Sequence, residues 1–289
     1  LSQTFTYSLV SGSGSTNNSL FSISGADLVA SFSANFESKS SYAVRVKTTD
    51  SDGCFLEAPI TVIIKDLNDA PTALLLNITQ VDENQFSNTA VGALSATDPD
   101  ANEVFTYSLV SGAGSSDNTS FNINGTNLRS SAIFDFETKS IYNVRLQVAD
   151  KFNNTFVDTF KITVNNINDA PTDIVLTNDS VNENAAKNTI VATLSTIDQD
   201  AGQSFGYSFD NVPGNDNAQF NIVGNTLRTK EVFDFEVNNL YFIYIETNDL
   251  NGGIYTKQIS INVADVNDAP TDIQLYTLSA NENMPIGTF

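Results

Sequence analysis

Hydrophobic and polar residues alternate along this chain in short runs, and no stretch sustains the three-to-four-residue spacing of an amphipathic helix. In the middle third, Ala73 to Thr79 reads as a first strand, Thr89 to Thr97 as a second and Val104 to Val110 as a third. A Gly/Ser/Asn loop at 111–119 follows. Short strands are then expected around Phe121-Asn122-Ile123 and Asn127-Leu128-Arg129, joined by the hairpin signal Asn124-Gly125. Ser140 to Ala149, with Tyr142, Val144, Leu146 and Val148 on one face, and Thr155 to Val164 close the unit. Seven strands in about a hundred residues predict an immunoglobulin-like Greek-key β-sandwich.

The pattern repeats. Phe5-Thr6-Tyr7-Ser8-Leu9-Val10-Ser11-Gly12 recurs from Phe105 to Gly112 and, loosely, from Phe205 to Phe209. The tetrapeptide Asn-Asp-Ala-Pro begins at 68, 168 and 267, a period of domain size. The expected organisation is 1–69, a repeat lacking its first two strands; 70–169 and 170–268, complete repeats; and 269–289, the start of another that stops inside its second strand. Pro71, Pro171 and Pro270 block the last strand of each unit from running on, so the sandwiches should be joined end to end as a rod. The tail of one molecule completing the head of the next is a second expectation for these ends.

Charge narrows the function. Against 13 basic residues stand 34 acidic ones, a net charge of −21, which disfavours nucleic acid and anionic membrane surfaces and favours cationic partners. No run approaches the length of a membrane span. With no histidine, the usual general base and the commonest transition-metal ligand are missing, and Cys54 has no partner for a disulfide; no catalytic residue is assigned. Sequons at Asn17, Asn77, Asn118, Asn124, Asn153 and Asn178 offer glycosylation in a eukaryotic secretory route, although chance is the favoured reading in so Asn-, Ser- and Thr-rich a chain.

More than half of the carboxylates keep their place in the repeat. Glu-Asn stands at 83, 183 and 282, Asp-x-Asp at 98–100 and 198–200, and Asp-Phe-Glu at 135–137 and 234–236. A sandwich sends alternate loops to opposite ends. Glu83, Asp135 and Glu137 therefore belong at the end that exits into the linker, while Asp98, Asp100 and Asp150 belong at the other. The bottom of one repeat is expected to meet the top of the next. About eight carboxylates would crowd one junction, each close pair costing about 4 kcal/mol at an effective dielectric of 20. A hard cation relieves that crowding, and all-oxygen ligands in a flexible site suit Ca²⁺ better than Mg²⁺.

Glu-Asn, Asp-x-Asp, Asp-x-Glu, an Asp ending the sixth strand and the linker Asn-Asp-x-Pro, in this order, resemble cadherin repeats across essentially the whole chain. Asp98-Pro99-Asp100, Tyr107-Ser108-Leu109-Val110-Ser111-Gly112 and Phe134-Asp135-Phe136-Glu137 are most similar to cadherin-like repeats of large bacterial surface proteins. The resemblance implies three calcium ions at the junction between the second and third repeats. Glu83, Asp135, Glu137, Asn168 and Asp169 would ligate from below, Asp198, Asp200 and Asp249 from above, with the carbonyls of Ile167 and Ala170. At the first junction Glu37, Asn68, Asp69, Asp98, Asp100 and Asp150 remain, but Asn35 stands where the family has Asp, so the outermost ion should be weak or lost. The third keeps Glu183, Asp234, Glu236, Asn267 and Asp268. Asn166 replaces Asp66 and Asp265, a linker position given little weight as a ligand.

The function implied is a calcium-rigidified extracellular stalk or adhesion segment of a larger cell-surface protein, without enzymatic activity. Expected partners are calcium and a cell-surface protein, a glycan or another copy of the chain. Alternatives are a glycan- or protein-binding adhesive module, or accessory repeats of a secreted enzyme.

Overall fold

The structure, a computed structural model, describes residues 4–274 and 282–287. It is all-β apart from single 3₁₀ turns such as Asn118–Ser120. Two compact units are present, Leu1–Asn166 and Ile167–Phe289. Much of the expected repeat at 269–289 lies outside the described residues.

The first unit opens with β1 (Phe5–Leu9), β2 (Phe21–Ser24), β3 (Asp27–Ala30), β4 (Ser41–Asp50) and β5 (Phe55–Ile63). They form a β1-β4-β5 sheet and a β2-β3 hairpin. Next come β6 (Ala73–Leu76), β7 (Gln80–Asp82), β8 (Ala90–Thr97), β9 (Thr106–Leu109), β10 (Phe121–Asn124), β11 (Asn127–Ser130), β12 (Ile141–Ala149) and β13 (Thr155–Asn165). These make two four-stranded sheets, β10-β11-β8-β6 and β7-β13-β12-β9. Leu74, Leu94 and Leu128 from one sheet and Val144, Leu146, Val148 and Ile162 from the other fill the space between them, all at most 4% exposed.

The second unit repeats this plan with β14 (Asp173–Leu176), β15 (Ser180–Asn182), β16 (Ile190–Ile197), β17 (Gly206–Phe209), β18 (Phe220–Val223), β19 (Thr226–Thr229), β20 (Leu240–Asn248) and β21 (Ile254–Ala264). Its sheets are β14-β16-β19-β18 and β15-β21-β20-β17. Ile174, Leu194, Leu227, Ile243, Ile245 and Ile261 are its largest fully buried side chains among the described residues.

The expected first strand is two strands. β6 pairs antiparallel with β8, after which the chain crosses over and β7 pairs parallel with β13. Side-chain parity gives the reason. Leu74 and Val81 are both buried while Ile78 is exposed, and residues seven apart cannot share one face of a single strand. The crossing segment passes so close to β8 that a Cβ at Gly92 would stand 2.5 Å from the Ile78 carbonyl oxygen. Gly92→Ala should therefore cost about 1–3 kcal/mol in a urea melt of the chain, although the third repeat has Ala192 at the matching position.

The hairpin also differs by one residue. Asn124 pairs with Asn127, so the two-residue loop is Gly125-Thr126 rather than one centred on Asn124-Gly125. Gly125 takes φ +61°, which a glycine at the first loop position adopts without steric cost.

Three aromatic rings recur at the end of each sandwich that carries the Asp-Phe-Glu loop. Phe121, Phe134 and Tyr142 stand 4.5–5.9 Å apart, centroid to centroid, and Phe220, Phe233 and Tyr241 stand 4.6–5.9 Å apart. Phe134 and Phe233 immediately precede Asp135 and Asp234, so burial of the ring fixes where the acidic loop starts.

Candidate metal centres

The linker Asp66-Leu67-Asn68-Asp69 leads from β5 to β6, and its polar groups are held by the loops of the sandwich that follows. Asn68 Nδ2 donates to Asp150 Oδ2 at 2.6 Å and to the Asp69 carbonyl at 2.7 Å, and the Asp69 N–H donates to Asp100 Oδ2 at 2.7 Å. The Asp100 N–H in turn donates to Asp98 Oδ1 at 2.9 Å. Asp150 is fixed from its own side by the N–H groups of Phe152 and Asn154, both at 2.8 Å. Desolvation works against the Asp150 charge, but the Asn68 amide and these N–H groups outweigh it and hold the carboxyl below the usual range. Carboxylate oxygens of Glu37, Asp66 and Asp100 lie within 4.8 Å of one another.

The same construction stands at the start of the second unit. Asn168 Nδ2 donates to Asp249 Oδ2 and to the Asp169 carbonyl, both at 2.8 Å, and the Asp169 N–H donates to Asp200 Oδ2 at 2.7 Å. Asp200 N–H meets Asp198 Oδ1 at 2.9 Å. The Asn168 amide is the main reason that the Asp249 carboxyl titrates low. Ile167 and Ala170 flank this pair in the same linker. Ala170 approaches the β20–β21 turn closely: a Cβ on Gly253 would collide with the Asp249 carboxylate and lie 2.8 Å from Ala170 Cα.

The acidic loops at the other end of each sandwich are built around a buried glutamate. Glu183, 3% exposed, accepts from the Phe235 N–H at 2.9 Å and the Val266 N–H at 2.8 Å. Glu83, 1% exposed, accepts from the Phe136 N–H at 2.6 Å. In each case the next residue, Asn184 at φ 57° or Asn84 at φ 60°, is left-handed, a conformation that asparagine tolerates better than most side chains. That accounts for the recurrent Glu-Asn. Asp135 Oδ1 accepts from the Thr138 N–H at 2.8 Å and Asp234 Oδ1 from the Val237 N–H at 3.1 Å. Asn35 takes the same part, accepting from the Ser38 N–H at 2.6 Å, so the turn survives the loss of its charge.

Glu183, Glu236 and Asp265 bring carboxylate oxygens within 4.8 Å of one another. The Val266 and Phe235 N–H groups hold the Glu183 carboxyl low. Glu236 moves the opposite way: a backbone N–H favours its charge, but desolvation and the charges of Glu183, Asp268 and Asp234 together raise it. Asp268 accepts from Asn184 Nδ2 at 2.8 Å, and Asn267 Nδ2 donates to the Asp268 carbonyl at 3.2 Å. Because the folded value of Glu183 is depressed, its contribution to stability is present above its unfolded value and is lost as pH falls through the folded one. In chelator, the stability advantage of the natural chain over Glu183→Gln should therefore be full at pH 7 and shrink on acidification below about 4.5, measured by urea melts across pH.

Asp66 and Asp265, the linker acids that sequence reasoning discounted, thus sit inside the carboxylate clusters. Where Asn166 replaces them, its Nδ2 donates to Glu137 Oε1 at 2.9 Å. All the groups collected are oxygen donors. Asp98 Oδ2, Asp198 Oδ2 and Asn68 Oδ1 are buried acceptors that no hydrogen bond satisfies. Such orphaned oxygens among carboxylates fit a hard, oxygen-loving cation.

No protein-family model matches the chain. Among curated proteins it is 27% identical to human protocadherin Fat 4 over 244 residues, 80% of this chain and 5% of that protein. It is 28% identical to human protocadherin alpha-13, across 93% of this chain and 30% of the relative, and 30% identical to human protocadherin-23, across 82% and 7%. The chain thus spans a small part of these relatives. Among solved structures, the EC22-24 segment of mouse cadherin-23 aligns with a TM-score of 0.62 at 22% identity, over 91% of this chain and 86% of that one. The extracellular domain of protocadherin gammaB4 aligns at 0.60 and 24%, over 91% and 44%. The sandwich topology is that of cadherin ectodomain repeats, and in sequence the chain is similar to protocadherins.

Proposed function

We propose that this chain is a calcium-binding adhesion or stalk segment, in which calcium held by the junction carboxylates stiffens the joints between cadherin-like repeats. The chain is extracellular, and its relatives are protocadherins rather than enzymes. Among the described residues, no helix is long and apolar enough to cross a membrane. The observation that carries the reading is the cluster of Glu37, Asp66 and Asp100. Its three carboxylates come from a loop before β4, from the linker and from a loop after β8, so an ion held there ties three segments of the first unit together. Glu183, Glu236 and Asp265 support a further ion, and Asn168, Asp198, Asp200 and Asp249 another. Repeat boundaries near 69, 169 and 268 follow from the same linkers. A kinship with bacterial cadherin-like repeats is supported by the phrases around Asp98, Tyr107 and Asp135, while the matched relatives named above are mammalian.

The test is calorimetric titration of the whole chain with calcium. Extracellular modules bind calcium at about 10⁻⁴ to 10⁻³ M, and binding in that range is expected here. No heat and no saturation up to 10-fold above that range, about 10 mM, would sink the reading. Gly253→Ala should weaken binding about tenfold at the Asn168–Asp249 site by displacing the Asp249 carboxylate, leaving the other sites as they were. X-ray scattering with and without EGTA tests the mechanical half, since an unchanged maximum dimension would leave calcium bound but without a stiffening role. The segment's adhesive partner is a cell-surface protein, a glycan or a second copy. Self-association has a precedent in fold, since one structural neighbour, protocadherin gammaB7 EC3-6, is described as a cis-dimer.

A further inference from the structure

The first junction contains a pair of charges that its copy in the second unit lacks. Glu103 follows the Asp98-x-Asp100 loop, and Lys151 follows Asp150; the matching residues are Gln203 and Leu250. The Glu103 side chain is 2% exposed, and its Oε1 lies 2.8 Å from Lys151 Nζ. Its Oε2 is buried with no hydrogen-bond partner. The ammonium rests 5.2 Å from the centre of the Phe152 ring. Glu103 and Lys151 line one cavity of about 480 Å³ together with Glu37, Asp66, Asn68 and Asp100.

The exchange alters the site beyond its charge count. Gln203 Nε2 donates to Asn168 Oδ1 at 2.9 Å, whereas a carboxylate at 103 has no proton to give and Asn68 Oδ1 is left buried without a donor. The first pocket therefore gains an acceptor and loses a donor, which favours a cation, yet it carries its own cation on Glu103. An ammonium in a pocket shared with three other carboxylates repels an entering divalent ion, and it neutralises part of the charge that would attract one.

Building on the calcium reading above, we propose that Lys151 is a resident counter-ion of the first junction. Seated on Glu103, it takes part of the cation's place while the pocket is free of calcium and lowers the pocket's affinity relative to the Asn168–Asp198–Asp249 copy. Lys151 is a tuning residue here, since an ammonium has no lone pair with which to ligate a metal.

The experiment is a calcium titration of the full chain followed by backbone amide NMR. Ala101 and Phe152 report on the first pocket, and Ala201 and Asn251 on its copy. In the natural chain the first pair should respond at several-fold higher calcium than the second. Lys151→Gln should shift the Ala101 and Phe152 midpoints to at least fivefold lower calcium and leave those of Ala201 and Asn251 in place. Lys151→Gln combined with Glu103→Gln removes both charges and restores an amide opposite Asn68, so it tests the idea even where the single variant folds poorly. Its first-pocket midpoint should come within twofold of the copy's. Midpoints that stay put, or rise, in both variants overturn the inference while leaving the calcium reading intact. A natural chain with no calcium response at either pocket overturns the calcium reading, and this inference with it.

Discussion

Millimolar calcium should raise the melting temperature of this chain by several degrees, and EGTA should return it to the starting value. A ligand that binds only the folded state stabilises it by RT ln(1 + [L]/Kd), which at 2 mM calcium and a dissociation constant of about 10⁻⁴ M is about 1.8 kcal/mol per site. Several sites act in the same direction. The gain comes from charges already crowded in the folded chain, as the raised Glu236 carboxyl beside Glu183, Asp268 and Asp234 indicates. Magnesium at the same concentration should do far less, because a smaller ion keeps its waters and asks for stricter octahedral order. A melting curve indifferent to calcium would remove the case for metal at the carboxylate clusters.

Phe233→Ala should cost about 3–5 kcal/mol in urea unfolding. The ring is 3% exposed, stacks on Tyr241 at 4.6 Å and meets Phe220 at 5.3 Å, so truncation leaves a cavity at the end of the second unit's core. The loss should extend to the adjacent chemistry. Asp234, the Phe235 N–H that holds Glu183, and Glu236 follow the ring directly, and calcium affinity at the Glu183–Glu236–Asp265 cluster should fall with stability. Val232→Ala, half exposed one residue earlier, is the control and should change stability by less than about 0.5 kcal/mol. Loss of stability with untouched calcium binding would show that the ring carries the core but does not position the loop.

Much of the architecture was legible because it is written in alternation. The long strands β12 and β13 have apolar residues on one face, and the structure finds them within a residue of where the pattern puts them. The split between β6 and β7 was harder to see. Ala73 to Thr79 is apolar enough to pass for one strand, and only the distance from Leu74 to Val81, read as parity, betrays a change of sheet. The carboxylate positions were legible from recurrence alone, whereas the weight of Asp66 and Asp265 was not. One missing copy, Asn166, made that position look optional, but an amide at 166 still reaches Glu137. Glu103 and Lys151 escaped notice for the opposite reason: they do not recur, and only the folded loops bring them to one cavity.

The crossing from β6 to β7 bears on how such a chain avoids misfolding. Adjacent repeats here share whole phrases, from Phe5 to Gly12 and from Phe105 to Gly112, and near-identical neighbours in tandem are prone to exchange strands with one another. A single long edge strand would be easy to trade. Divided into pieces of four and three residues, each anchored to a different sheet, the edge offers a neighbour too short a template to capture, and a swap must release both anchors at once.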